Sequence, residues 1–255
     1  MTLCLLAIFK NEAHILKEWV EHYIKEGVDK FFLINNNSND NFYDVLLPYI
    51  NSGIVTLNND DRNYSQTAIY NDYIDACKQY KWVIVCDLDE FIYARKCFKR
   101  IKQFLKSLDD NVSQVCIPWK MFGSNGYDSY DKPQPESVIQ TFTKRLDCNG
   151  LINNKSIVKT KFLKKFEIHE HSVTGGIQYN EPNNRFFMSI NEDILQNSCL
   201  HLNHYAIQSF EWFMRIKATR GDISSASENN IRNEAYFRGY DWNHIEDLEL
   251  ANKTY

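Results

Sequence analysis

The sequence predicts an α/β fold with a mainly parallel central sheet and helices on both faces. Three observations carry this. Between Leu3 and Phe91, apolar runs alternate with stretches at helical spacing. The connections between them are short, and the apolar runs are continuous rather than alternating, as in strands covered on both sides.

Leu3 to Phe9 reads as the first strand. Glu12 to Glu26 follows with Ile15, Leu16, Trp19, Val20, Tyr23 and Ile24 on one helical face, and Gly27 is a natural C-cap. "KFFLIN" is the second strand and ends in the polar turn "NNNSND". A helix over 41–51 stops at Gly53, "IVTL" is the third strand, and a helix over 66–80 leads into "WVIVCDLDEF". Phe98 to Ser107 is a further helix. "VCIPWKMFG" reads as a strand, "SNGYDSYDKPQPES" as a polar loop, and "VIQTFTKRL" and "KSIVKTKFL" as two more strands. "AIQSFEWFMRIKATRG" is helical up to Gly221, and the tail over 222–255 is expected as short packed helices. This divides the chain into a main domain over 1–221, with halves at 1–110 and 111–221, and a C-terminal helical tail.

With 255 residues, 44% of them hydrophobic, the chain can bury a sizeable core. A net charge of −4 and a pI near 6.0 exclude a general basic field for nucleic acid. Seven scattered cysteines without CxxC spacing read as reduced thiols. The start "MTLCLLAIFKNEAH" has no basic leader or small-residue cleavage site, and no run approaches a membrane span. The expectation is a soluble, cytoplasmic protein without a transmembrane segment, attachment through a partner staying open.

In a parallel sheet, ligands sit beyond the carboxyl ends of the strands, which collects "FKNE", "NNNSND" and "DLDE" at one edge. The last is the strongest signal. Apolar "WVIVC" runs straight into Asp87-Leu88-Asp89-Glu90, and buried acids are costly unless they hold something cationic. Strand alternation would set Asp87 and Asp89 on one side, where two carboxylates can share one Mg2+ or Mn2+ whose remaining positions take substrate phosphates. The plain alternative for a bare DxD is a helix cap or a solvated turn.

Several ordered blocks resemble the GT-A glycosyltransferases, of the family 92 or family 2 type: "AIFKNEAHILKEWVEHYIKEGVDKFFLINNNSND", "IYNDYI", "WVIVCDLDEF", "WKMFGSNG", "FTKR", "NKSIVKT" and "LNHYAIQSFEWFMRIKATRGD". The resemblance spans roughly Leu3 to Asp247. It implies a GT-A fold with a smaller antiparallel acceptor-side portion. It also implies metal-dependent chemistry on a nucleotide-sugar of the UDP type: transfer of a sugar, with inversion, to a hydroxyl of a glycan or glycoconjugate.

By the same resemblance, Asp87 and Asp89 hold Mn2+ or Mg2+, with Asp89 serving catalysis. A late histidine completes the shell, His204 being favoured over His171 and His201. Lys10 and Glu12 lie where relatives contact the nucleotide, although Glu12 also suits a helix start. Asn36 and Asp40, with Asn35, stand where relatives read base and ribose with acidic groups, so amides replace carboxylates at two positions. Gln66 and Asn71 would face the donor, capping being their alternative. Where the family has Lys in "HYxxKS" this chain has Gln208, which leaves the diphosphate to Lys155, Lys159, Arg215 or Lys217. The general base for the acceptor falls to Glu170, Asp128 or Glu211, and Trp119 and Phe122 offer faces for stacking a sugar. Two other readings compete: a catalytically silent sugar- or nucleotide-binding protein, and a phosphatase with its own DxD, disfavoured because three strands precede the motif and Phe91 stands where Thr or Val is wanted.

Overall fold

The computed structural model describes residues 1–128, 137–147, 153–180, 191–220 and 232–255, without the side chains of Asn180 and Arg220. The strands are β1 (Leu3–Phe9), β2 (Lys30–Asn35), β3 (Val55–Asn59), β4 (Trp82–Val85), β5 (Glu90–Ala94), β6 (Val112–Met121), β7 (Lys144–Arg145), β8 (Asn154–Lys159), β9 (Leu163–Lys165), β10 (Ser172–Val173), β11 (Ile177–Asn180), β12 (Leu200–His204) and β13 (Ile245–Glu246). The helices are α1 (Ala13–Glu26), α2 (Phe42–Asn51), α3 (Gln66–Asp72), α4 (Ile74–Cys77), α5 (Ile101–Ser107), α6 (Val138–Thr141), α7 (Glu192–Asn197), α8 (Phe210–Trp212), α9 (Ala218–Arg220) and α10 (Glu234–Tyr240). A π turn, Phe213–Lys217, joins α8 to α9.

The main sheet has the order β3-β2-β1-β4-β8-β6-β12-β5, with β11 beside the first half of β6. β1 to β4 pair in parallel. β8 runs antiparallel to both β4 and β6, and β12 runs parallel to β6 but antiparallel to β5. This is the mostly parallel α/β sheet with an antiparallel portion that the sequence predicts.

Burial explains why β1 and β4 read as unbroken apolar runs. Leu3, Leu5, Ala7 and Phe9 enter the core that includes Trp19 and Tyr23 of α1, while Cys4, Leu6 and Ile8 enter a second core with Ile69 and Tyr70 of α3. Trp82 and Ile84 face the first core, and Val83 and Val85 the second. Successive side chains alternate between the faces, and both faces are covered.

Several element boundaries differ from expectation. The expected helix over 66–80 is divided at Tyr73. Asn71 sits beside the break and turns its amide back onto the Thr67 carbonyl at 2.6 Å, which competes with regular helix bonding. "VIQTFTKRL" is not one strand. Ser137 caps a helical turn by accepting from the Gln140 N–H at 3.0 Å, so α6 forms and only Lys144–Arg145 is extended. "KSIVKTKFL" is interrupted by a 3-10 turn, Thr160–Phe162. The "AIQSF…" helix begins only at Phe210, after the Ser209 cap, and the Gly221 end lies outside the described residues.

In the tail, α10 is helical as expected, but Ile245–Glu246 pairs with β7 as a strand. Buried Lys120 reaches Asp247 at 2.8 Å, and Arg145 reaches the same carboxylate at 2.6 Å, so the tail is tied to β6 by charge. Of the seven cysteines, six are free thiols among the described residues, and Cys148 lies outside them. No described helix is long and apolar enough to cross a membrane.

Candidate active site

The acidic stretch after β4 is a tight turn rather than an extended strand end. The Glu90 N–H donates to the Asp87 carbonyl at 3.1 Å, while the Asp87 N–H donates to Glu90 Oε2 at 2.9 Å. Trp19 Nε1–H, from α1, donates to the carbonyls of both Asp87 and Glu90, at 3.1 and 3.0 Å. Tyr23 Oη–H donates to the Glu90 carbonyl at 3.0 Å. Glu90 therefore fixes the turn from inside the core. Burial pushes its carboxyl up to about 8 despite nearby Lys155, so it is neutral at physiological pH.

The turn sends its two aspartates to different cations instead of setting them side by side. Asp87 Oδ2 meets Lys155 Nζ of β8 at 3.0 Å, and Asp87 Oδ1 accepts from Gln66 Nε2 at 3.2 Å. Asp89 pairs with Lys217 from the π turn, and its Oδ1 lies 3.4 Å from His204 Nε2 at the end of β12. Burial opposes the Asp89 charge, but Lys217 and His204 outweigh it and hold the carboxyl well below its usual range. Burial likewise opposes the Lys155 charge, and Asp87, the largest opposing influence, reverses that and raises its pKa. Two carboxylates and two buried ammonium groups thus cancel in one cleft.

This cleft, of about 340 Å³, opens at the carboxyl ends of β1 and β4. Lys10, Glu12, Gln66, Asp87, Asp89, Trp119, Lys155, His169, His204 and Lys217 line it, with Arg232, Tyr236 and Tyr240 from the tail. Trp119 packs in T-shaped contact with two imidazoles, its ring centroid 4.4 Å from that of His204 and 5.5 Å from that of His169.

Other candidates are placed elsewhere and have other work. Asn36 donates to the carbonyls of Asp60 and Arg62, at 2.7 and 3.1 Å, holding the loop after β3, and Asn35 bonds Asn59. Asp40 Oδ2 accepts the Ala13 N–H at 2.8 Å, at the start of α1. Asn71 bonds the Phe166 backbone in both directions, Nδ2–H to its carbonyl and its N–H to Oδ1. Glu170 accepts from Asn154 and Gln178, and Glu211 pairs with Arg215 at 3.2 Å; neither lines the cleft. The same holds for Asp128. His171 accepts the Glu167 N–H, His201 faces Glu249 at 2.9 Å, and both lie outside the cleft lining. Lys159 holds the Asp109 and Asp110 carbonyls, and Phe122 is core. Sequence reasoning did not single out Arg232, Tyr236 or Tyr240. An aromatic run, "YFRGYDW", in an otherwise polar tail was the available signal.

For a divalent ion, the donor set fits. Asp89 Oδ1 is enclosed and accepts no hydrogen bond among the described residues, and it faces an imidazole nitrogen. Asp89 Oδ1 and His204 Nε2, 3.4 Å apart, are the oxygen and nitrogen that would hold it. The described residues form no cluster of three or more His, Cys, Asp or Glu groups already gathered for a metal, because Asp87 turns toward Lys155.

Sheet order and the acidic turn at its edge place the chain in the GT-A class of α/β folds. Residues 1–247 match Glycosyltransferase family 92, and the chain belongs to that family. It is 24% identical over 225 residues to a family 92 protein of Ricinus communis, and 25% over 232 residues to one of Arabidopsis thaliana. Each match covers 83% of this chain and 36% of the relative, so the chain spans little more than a third of those proteins' length. Among solved structures it is similar to S. aureus TarS in complex with UDP-GlcNAc, at TM-score 0.41 and 14% identity over 64% of this chain and 46% of that one. GalNAc-T7 with UDP, GalNAc and Mn2+ matches at TM-score 0.40 and 14% identity, over 63% and 35%.

Proposed function

We propose that the chain transfers a sugar from a nucleotide-sugar donor, a UDP-sugar by preference, to a hydroxyl of a glycan or glycoconjugate, with inversion. The observation that carries this reading is the turn Asp87–Asp89: two carboxylates, each held by a buried lysine, at the strand edge of a family 92 chain. Asp87, Asp89 and His204 would hold Mn2+ or Mg2+. When bound, the ion would supply positive charge to the leaving diphosphate.

The chain's own residues would do the rest. Lys155 and Lys217 are fixed, desolvated cations at the place where the diphosphate gains charge, and preorganised charge of this kind stabilises a transition state more than mobile charge in water. Lys10, Glu12 and Gln66 line the same cleft and would contact the donor. Because Lys10, Lys155, Lys217 and Arg232 face Glu12, Asp87 and Asp89, the cleft's own charges sum to about +1, and neither a dication nor a diphosphate is strongly favoured alone. Together they arrive nearly neutral, which couples their binding.

A thermal-shift screen of nucleotide sugars with and without Mn2+ tests the reading. A donor at about 100 times its Kd adds about 2.7 kcal/mol of stability, so one or more UDP-sugars should raise Tm, and more so with the metal. No shift with any donor, with or without Mn2+, would count against it.

A further inference from the structure

We propose that His169 is the general base that takes the proton from the acceptor hydroxyl. The inference rests on the transferase reading above and goes beyond it, since neither Glu170 nor Glu211 lines the cleft.

His169 Nδ1 lies 2.9 Å from the Asn154 carbonyl oxygen, which can only accept, so Nδ1 carries the hydrogen. Nε2 is therefore the lone-pair nitrogen. It has no partner among the described residues, and unlike the Nε2 of buried His171 it is not enclosed by protein. The His169 ring packs against Trp119 at 61°, centroid to centroid 5.5 Å, and His204 packs against the same indole at 4.4 Å, so Trp119 helps to hold both rings.

The carboxylates and the second imidazole of the cleft face fixed charges. Asp87 and Asp89 are counter-ions of Lys155 and Lys217, and Glu12 lies in the field of Lys217. His204 faces Asp89. Lys155, Asp87 and His204 are the charged or titratable groups that His169 itself feels, and burial, the larger influence, keeps its pKa below the ordinary value and the ring neutral. A neutral imidazole with an oriented hydrogen on one nitrogen is ready to accept on the other.

In the step, the acceptor O–H gives its proton to His169 Nε2 as its oxygen bonds to the anomeric carbon. The bond from that carbon to the diphosphate oxygen breaks, and its electron pair leaves with the nucleoside diphosphate. The imidazolium then releases the proton to solvent.

The test uses release of UDP from the UDP-sugar that stabilises the wild-type chain, with Mn2+ present and water or an added glycan as acceptor. His169→Ala should lose about 10²- to 10⁴-fold in kcat, with donor Kd by calorimetry unchanged and part of the rate restored by free imidazole. His169→Asn keeps a donor for the Asn154 carbonyl but offers no base, so it should be as slow as His169→Ala. Wild-type rate in His169→Asn, or loss of donor binding in His169→Ala without imidazole rescue, would make the residue a prop for Trp119 and overturn the assignment. A wild-type chain that turns over no nucleotide sugar overturns the transferase reading itself, and the base assignment with it.

Discussion

Replacing Glu90 by glutamine separates the charge of this side chain from its shape. The side chain is fully enclosed; Oε2 accepts the Asp87 N–H at 2.9 Å, and Oε1 has no partner among the described residues. Glutamine keeps an acceptor for that N–H and places its amide hydrogens where a protonated carboxyl would carry its own. Burial raises the Glu90 pKa from 4.5 to about 8, so the folded chain holds a proton that the unfolded chain releases. Below about pH 4.5 both states are protonated and the contribution is whole. Between about pH 4.5 and 8 the wild type loses about 1.4 kcal/mol per pH unit, on the order of 5 kcal/mol in total. Above that range both states are ionised and the loss is complete. Glu90→Gln has no such loss. Urea unfolding of both proteins at several pH values, with chelator present, reads the difference, since their other groups titrate alike. The variant should gain on the wild type steadily from pH 5 to 8. A difference that stays constant over that range would mean that Glu90 is ionised in the folded chain, and the account of the turn would fail.

Three other expectations follow from the same site and its supports. Asp89→Asn should abolish donor turnover and, by leaving Lys217 buried without its counter-ion, cost about 3–5 kcal/mol in a denaturation experiment; an active variant would refute the assignment of Asp89. In calorimetry, Mn2+ should bind at least about tenfold more tightly with UDP present than without it, a coupling of at least about 1.4 kcal/mol; equal affinities would show that the lysines do not cancel the aspartates. At Gly123, an added Cβ would press on the Trp242 carbonyl and the Asn243 side chain. Gly123→Ala should therefore destabilise by about 1–3 kcal/mol and raise proteolytic sensitivity near Trp242, which limited digestion would show.

The parallel half of the fold was legible because both of its faces are buried: Leu3 to Phe9 and Trp82 to Val85 carry no polar residue that could confuse the reading. The second half was harder. "VIQTFTKRL" has strand-like composition, but one serine with its hydroxyl at the N-cap turned its start into a helix. At the site, Asp87 and Asp89 could be named from the sequence because they follow a recognisable apolar run, whereas His204, Gln66 and Lys155 were named through the family resemblance. What could not be read was which cation each acid would meet, since Lys155 and Lys217 lie 68 and 128 residues away from their partners. Asn36, Asp40 and Asn71 show the converse limit. Their place in the family blocks suggested ligand contacts, and here their side chains hold backbone.

The π turn at Phe213–Lys217 makes the site sensitive to the length of the chain as well as to its composition. A π turn holds its residues in a wider register than an α-helix, and removing one residue there would let the segment relax to ordinary α geometry. The turn has thus already taken up one residue beyond α spacing, and each further α-helical residue turns the chain by about 100°, so a single-codon insertion between Trp212 and Lys217 would swing the ammonium group off Asp89 without altering any side chain in the cleft. Gene variants that preserve every named residue but differ in spacing here would carry an intact list of parts and an unassembled site.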